Sequence, residues 1–82
     1  MKPLLTVKKE RFDLVPWNAV RQVAEVMTEG LKDHDEDGWR KVPRKTHVSR
    51  ALRHLVLYIT GDITEDHLRH AACRILMSLE TK

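Results

Sequence analysis

Residues 46–79 read THVSRALRHLVLYITGDITEDHLRHAACRILMSL, and this stretch decides the fold. Its first part repeats apolar residues three and four positions apart, the period of an amphipathic helix; they are Val48, Ala51, Leu52, Leu55, Val56 and Ile59. A second such series follows Gly61 and comprises Leu68, Ala71, Ala72, Ile75, Leu76 and Leu79. The stretch therefore predicts a helix from Thr46 or His47 to Ile59, ended by Gly61, and another helix capped by Thr64.

A third apolar series lies upstream and predicts a first helix that starts near Pro16; its members are Trp17, Val20, Ala24, Met27 and Leu31. Residues 33–46 have no apolar period, which predicts a loop of about 14 residues. Since β-branched residues nowhere alternate, no strand is expected. The predicted fold class is all-α, a compact three-helix domain at residues 12–82 with a long loop between helices one and two, behind a basic N-terminal arm at residues 1–11.

Chain length and composition set the expected assembly and location. A domain of 82 residues buries only about 60% of its unfolded surface, and few aromatic residues are present to fill a core. We therefore expect a homo-oligomer in which a second copy covers apolar surface. No apolar run reaches about 20 residues, so no membrane association is expected and the predicted location is the cytoplasm, the host's if the protein is phage-encoded. The lone Cys73 is expected to pack as a small apolar group.

Charged residues are unevenly distributed along a chain of net charge +3. Asp33–Asp37 form an acidic segment whose pattern, D-x-D-x-D-G through Gly38, matches the first half of a calcium-binding loop. Arg44 stands where the closing glutamate would be needed, so a solvated acidic turn is the simpler interpretation. Basic residues from Arg40 to Arg53 follow directly; solvated charge and a phosphate-binding surface both remain open for them.

Histidines supply the strongest candidates for chemistry. His67 and His70 are three residues apart and share one flank of the third helix, while His54 lies at the edge of the apolar face of the second. If these helices pack antiparallel, we expect the three imidazoles to meet Asp62 or Asp66 in one cleft. Histidine and carboxylate together suit metal binding and acid–base catalysis. Structural histidines bonded to backbone or carboxylate are the alternative.

Short blocks along the chain also resemble a known family. In order they are Phe12–Pro16, Val23–Val26 leading to Gly30–Lys32, Trp39–Lys41, Ala51–Leu55 before Gly61–Asp62, and His67–Ala72. Over about residues 12–80 this order is similar to the phage dATP/dGTP diphosphohydrolase N-terminal domain family. The resemblance implies a helical nucleotide pyrophosphohydrolase, related in activity to the MazG-like enzymes, which uses Mg²⁺ or Mn²⁺ to convert a purine deoxynucleoside triphosphate to the monophosphate and pyrophosphate.

The resemblance also implies roles for individual residues. It assigns catalytic roles to His54, His67 and His70, metal binding to Asp62 and Asp66, and substrate binding to Lys32, Trp39 and Arg53. Lys32 and Arg53 are expected to hold phosphates and Trp39 to shape the nucleotide pocket.

The chain departs from the family pattern at four places, and these keep alternatives open. Asp33-His34-Asp35 stands where Lys-Tyr-Gly is usual, Gly38 and Arg74 each replace an asparagine, and the stretch from Asp62 to His67 is shorter than usual. A protein that binds or sequesters a nucleotide or nucleotide-like signal without turnover is the first alternative. A small nucleic-acid-binding module that uses the Arg40 to Arg53 stretch is the second.

Overall fold

The computed structural model describes residues 9–82, and its secondary structure there is entirely helical. The three α-helices are α1 at Trp17–Gly30, α2 at Arg44–Ile59 and α3 at His67–Leu79, with short 3-10 helices at Phe12–Leu14 and Gly38–Lys41. No strand occurs among these residues, which confirms the all-α class and the three helices. Residues 1–8 of the predicted arm lie outside the described residues.

Helix α2 begins earlier than the sequence pattern predicts. Pro43 precedes its first turn. The backbone N–H of Arg44, which has no acceptor within the helix, donates to the carbonyl of Lys82 at 2.9 Å. The predicted start at Thr46 or His47 is therefore wrong, because a backbone group from the far end of the chain satisfies the first turn. The segment between α1 and α2 is therefore residues 31–43, where the predicted loop was residues 33–46, and it contains the second 3-10 helix.

Helix α3 begins later than predicted and has a different cap. The carboxylate of Asp66 accepts from the backbone N–H of Arg69 at 3.4 Å, which makes Asp66 the N-cap residue. Thr64 instead donates its backbone N–H and its hydroxyl to Asp62, at 2.8 and 2.7 Å. The predicted Thr64 cap is wrong, since its hydroxyl is used in this preceding turn. Gly61 ends α2 as expected, with a φ of 90° that favours glycine.

Removing the Asp66 cap is expected to weaken the fold modestly. We expect Asp66→Ala to lower the free energy of unfolding by about 1 kcal/mol, because a first-turn N–H loses its acceptor. Urea denaturation measures the change. Asp35→Ala, at an exposed carboxylate of the linker, is the control. Equal stability of the two variants would contradict the capping role.

The helices meet along a seam between α2 and α3. His47, Ala51 and His54 lie on the buried face of α2 and follow the spacing of a single helix face. Contacts of His54 with His67 and of Arg44 with Ser78 show that the two helices run antiparallel. Ala51 is only 1% exposed, so a small residue sets the close approach in the middle of the seam.

Helix α1 packs against α3 and is held there by Arg69. The guanidinium of Arg69 donates to the carbonyl of Gln22 at 3.2 Å and to the carboxylate of Glu25 at 3.0 Å. Val23 is the buried residue of α1. Cys73 is buried too, and burial raises the pKa of its thiol, so the prediction that it packs as an apolar group is confirmed.

Much apolar surface stays uncovered in the single chain. Ile59, Ile63 and Leu79 are each more than two thirds exposed. An open apolar groove of about 430 Å³ is lined by Ala19, Val20, Val23, Leu55, Leu68, Ala71, Ala72, Ile75 and Leu76. Association with a second copy stays a prediction that this surface suits. Within residues 9–82, every helix is too short or too polar to cross a membrane.

Candidate functional site

A pair of buried histidines bridges α2 and α3 at the end of the seam near the turn that joins them. The Nδ1 atoms of His54 and His67 are 2.9 Å apart. The two residues are only 9% and 2% exposed. Helical spacing places His54 on the same buried face as Ala51, while His67 is the first residue of α3. Two polar rings therefore occupy positions that an apolar core would normally fill.

A third histidine and a glutamate complete one side of the cluster. The rings of His54 and His70 are 5.2 Å apart and nearly perpendicular. The Nδ1 atom of His70 lies 3.1 Å from Oε1 of Glu65. A carboxylate in this position holds the imidazole in one orientation and leaves its Nε2 atom for another partner. Because His70 is half-buried, this partner can come from solvent.

Asp62 completes the other side of the cluster. Its Oδ2 atom is 3.7 Å from Nε2 of His67, and that Nε2 atom is buried without a hydrogen-bond partner. Hydrogen bonds from the backbone N–H and hydroxyl of Thr64 lower the pKa of Asp62, with a further contribution from His67. The carboxylate is thus held ionised next to an imidazole nitrogen that lacks a partner.

The contacts determine where the protons of the buried pair lie. If both rings are neutral, one proton is shared between the two Nδ1 atoms. When His54 donates it, His67 carries its own proton on Nε2 and directs it toward Asp62. When His67 donates, a lone pair on Nε2 faces the carboxylate, which is unfavourable. The first arrangement is therefore preferred, and a cation between the Nδ1 atoms would leave the same Nε2 proton directed at Asp62.

Burial lowers the pKa of His54. Desolvation is the main cause; Glu65 opposes it, whereas His70, His67 and Arg53 add to it. His54 is therefore neutral near pH 7, the form that ligates a metal or accepts a proton.

The lowered pKa of His54 predicts a pH-dependent stability. In the unfolded chain His54 takes up a proton near its ordinary pKa of 6.5, whereas the folded chain resists protonation until lower pH. The unfolded state then binds more protons, so the free energy of unfolding falls as pH drops below this value. Urea denaturation in EDTA at about pH 7.5 and about pH 5.5 measures the slope. A His54→Gln variant should show a shallower slope, and an unchanged slope would contradict the assignment.

The cluster fits a divalent cation. His54, Glu65 and His67 can each offer one ligand atom, and these atoms lie within 4.8 Å of one another. Oε1 of Glu65 contacts His70, and because a carboxylate has lone pairs on both oxygens, Glu65 can keep this contact and still offer a ligand atom to a cation. Two imidazole nitrogens with one carboxylate oxygen are typical of a transition-metal site, because imidazole is a better ligand for Mn²⁺ or Zn²⁺ than for Mg²⁺.

The structure brings together four of the eight residues singled out in the sequence. They are His54, His67, His70 and Asp62. Asp66 lies outside the cluster, where it caps α3 and faces Arg69 at 3.6 Å. Sequence reasoning missed Glu65, whose position in the cluster depends on the turn before α3. Its separation of five from His70 is not a helical spacing, so no periodic signal could have identified it.

The three predicted substrate-binding residues are not adjacent to one another. Lys32 follows α1 and is exposed; its backbone N–H donates to the carbonyl of Glu29, and its ammonium group makes no ion pair within residues 9–82. Arg53 is exposed on α2 beside His54. Trp39 is half-buried and its ring lies 6.4 Å from that of His47. His47 itself is seven residues before His54, which is about 10 Å along α2, so Trp39 contacts α2 about two turns away from the histidine cluster.

The carboxylates of the linker and of α1 are exposed, and some of them form ion pairs with arginines. Asp33–Asp37 are all exposed, and Asp37 pairs with Arg40 at 3.1 Å. This arrangement agrees with a solvated acidic turn. Glu25 is exposed on α1 and pairs with Arg69 at 3.0 Å.

Comparison with known proteins identifies the family of the chain. The model of the family described as dATP/dGTP diphosphohydrolase, N-terminal, matches residues 5–82. The chain belongs to this family. The match extends beyond the blocks at residues 12–80 in both directions. No curated protein and no solved structure is significantly similar to the chain. Membership of the dATP/dGTP diphosphohydrolase N-terminal family therefore supplies a nucleotide-hydrolase context for the histidine cluster.

Proposed function

We propose that this member of the dATP/dGTP diphosphohydrolase N-terminal family is a divalent-metal-dependent nucleotide pyrophosphohydrolase. It converts a purine deoxynucleoside triphosphate and water to the monophosphate and pyrophosphate. One observation supports this above the others: the buried pair His54 and His67, with Nδ1 atoms 2.9 Å apart, is flanked by Glu65 and Asp62. A purely structural histidine would be expected to bond a backbone group or a carboxylate, as His47 does with the carbonyl of Trp39, whereas Nδ1 of His54 contacts another imidazole.

The cluster divides into a cation-binding part and a proton-accepting part. His54, His67 and one oxygen of Glu65 would hold the cation, with Asp62 orienting His67 from the far side of its ring. When bound, the cation neutralises the charge of the phosphates. His70 has a position suited to general-base catalysis, because Glu65 holds its Nδ1 atom and leaves Nε2 to take a proton.

In the proposed reaction, one P–O bond forms and one breaks at the α-phosphorus. A water molecule forms the new P–O bond while His70 accepts its proton. The bond from the α-phosphorus to the oxygen bridging the α- and β-phosphorus atoms breaks, and pyrophosphate leaves with that oxygen. Lys32 and Arg53 are proposed as phosphate contacts and Trp39 as part of the nucleotide pocket, as the resemblance implies.

The nature of the ligands predicts a preference among metals. We expect Mn²⁺ to support pyrophosphate release at a rate about tenfold or more above that with Mg²⁺, because the site is rich in imidazole nitrogen. The test incubates the purified protein with each of the four deoxynucleoside triphosphates and either metal, and quantifies monophosphate, pyrophosphate and phosphate. Release of phosphate alone, or activity that persists in EDTA, would contradict the proposal.

The family departures support a second candidate, a nucleotide-binding protein without turnover. Relative to the family pattern, the segments around Trp39 and the seam are altered at Asp33–Asp35, Gly38 and Arg74. Calorimetry would then show triphosphate binding while no pyrophosphate is released.

The nucleic-acid alternative has less support. Arg40 pairs with Asp37 and Glu80, and Arg44 donates to the carbonyl of Ser78. Two cations of the basic stretch are thus used within the chain, and exposed carboxylates surround Arg40.

A further inference from the structure

We propose that Arg74 and Arg50 form an anion-binding site for the phosphates of the substrate, on the same side of the α2–α3 seam as the histidine cluster. The identity of the ligand rests on the proposed function. Two observations support the site itself: a buried histidine positions Arg74, and no carboxylate pairs with Arg50 or Arg74 within residues 9–82.

Arg74 is positioned by a buried histidine. Its Nη1 atom lies 3.1 Å from Nδ1 of His47, and Nε2 of His47 lies 2.9 Å from the carbonyl of Trp39. A guanidinium can only donate, so Nδ1 of His47 accepts and Nε2 carries the proton given to Trp39. His47 is 0% exposed and neutral in this arrangement. A fully buried side chain therefore holds the guanidinium in place without neutralising its charge.

Neither cation has a counter-ion. Within residues 9–82 the arginine ion pairs involve Arg11, Arg40 and Arg69, and none includes Arg50 or Arg74. Residues 1–8 contain no Asp or Glu that could supply one. Burial, and then the nearby Arg50, lower the pKa of Arg74. A half-buried guanidinium next to a second cation is unfavourable by itself, and a bound anion relieves that cost.

Helical spacing connects the two cations to the histidine cluster. Arg50 is four residues before His54 on α2, and Arg74 is four residues after His70 on α3. Residues four apart lie about 5–6 Å from each other on one helix face. The cations are therefore one turn from the cluster on both helices, between it and Trp39. A triphosphate whose α-phosphorus lies at the cluster can place its other phosphates over Arg50 and Arg74.

Anion binding can be measured apart from turnover. Calorimetry with pyrophosphate in EDTA compares the wild type with Arg74→Gln, Arg50→Gln and, as the control, Arg21→Gln at an exposed arginine of α1. We expect each of the first two changes to weaken pyrophosphate affinity roughly ten- to hundredfold, the loss of a charge-assisted contact, and the control to bind as the wild type does. Arg50→Gln leaves the His47 contact intact, so it tests the site even if Arg74→Gln unfolds.

The outcomes separate this inference from the proposed function. Wild-type pyrophosphate affinity in Arg50→Gln and in folded Arg74→Gln would overturn the inference, whatever the hydrolysis assay shows. A loss of affinity only for a single-stranded oligonucleotide, with pyrophosphate binding unchanged, would also overturn it in favour of a nucleic-acid surface. Weakened pyrophosphate binding without any hydrolysis by the wild type would support the anion site and contradict the enzymatic proposal.

Discussion

Replacing His54 or His70 with glutamine is expected to reduce metal-stimulated pyrophosphate release by at least about a hundredfold. His54→Gln removes one of two imidazoles whose Nδ1 atoms are 2.9 Å apart, and His70→Gln removes the ring held by Glu65 at 3.1 Å. The measurement is the initial rate of pyrophosphate release from dATP and dGTP with Mn²⁺. Bound Mn²⁺ should also decrease in His54→Gln and stay near the wild-type level in His70→Gln.

His34 offers a matched control for these variants. It is exposed in the linker between α1 and α2, so His34→Gln should keep both activity and metal binding. Thermal unfolding separates a catalytic role from a structural one, since structural histidines would lower the melting temperature and leave the folded fraction active. Full activity of the His54→Gln, His70→Gln double variant would eliminate the cluster as the active site.

Enlarging Ala51 is expected to produce the largest loss of stability. Ala51 is 1% exposed and lies on α2 between His47 and His54, where it sets the approach of α3. A leucine there must push the helices apart, and overpacking of this kind costs about 1–3 kcal/mol. In a domain of this size each kcal/mol corresponds to a shift of roughly 4–8 °C in the melting temperature.

The same change should also affect the site. Separating α2 from α3 lengthens the distance between His54 and His67, so pyrophosphate release should fall in the fraction of Ala51→Leu that stays folded. Ala24→Leu is the control, because Ala24 is an exposed alanine of α1. Ala51→Leu with the stability of Ala24→Leu would show that the seam tolerates expansion and that the close approach of the helices is not required.

Local pattern explains why so much of the histidine cluster could be predicted. His67 and His70 share a helix flank by their spacing alone, and His54 lies at the edge of the apolar series of α2. An antiparallel pair of helices joined by a short turn then leaves one meeting point for all three rings. The catalytic and metal-binding roles of these residues stay predictions.

Residues whose partners lie far away in the chain could not be found in this way. His47 is the most buried residue of α2, yet nothing in its local sequence distinguishes it from His34. Arg74 appeared only as a departure from the family pattern, and its lack of a counter-ion depends on which carboxylates lie near it. Glu65 and Asp66 are adjacent and chemically alike, so only the course of the turn decided that Glu65 contacts His70 while Asp66 caps α3.

The sequence by itself determined the all-α class, the three helices and the glycine that ends α2, because periodicity and turn chemistry act over a few residues. It did not determine which face of α2 is buried, since the predicted apolar residues Leu52, Val56 and Ile59 are exposed, whereas His47, Ala51 and His54 are buried. The tertiary structure decided the start of α2, which depends on the carbonyl of Lys82, the choice of Glu65 over Asp66, and the buried contact that holds Arg74. Each of these depends on the energy of a polar group removed from water, and that energy is set by partners that only the folded chain brings within hydrogen-bond distance.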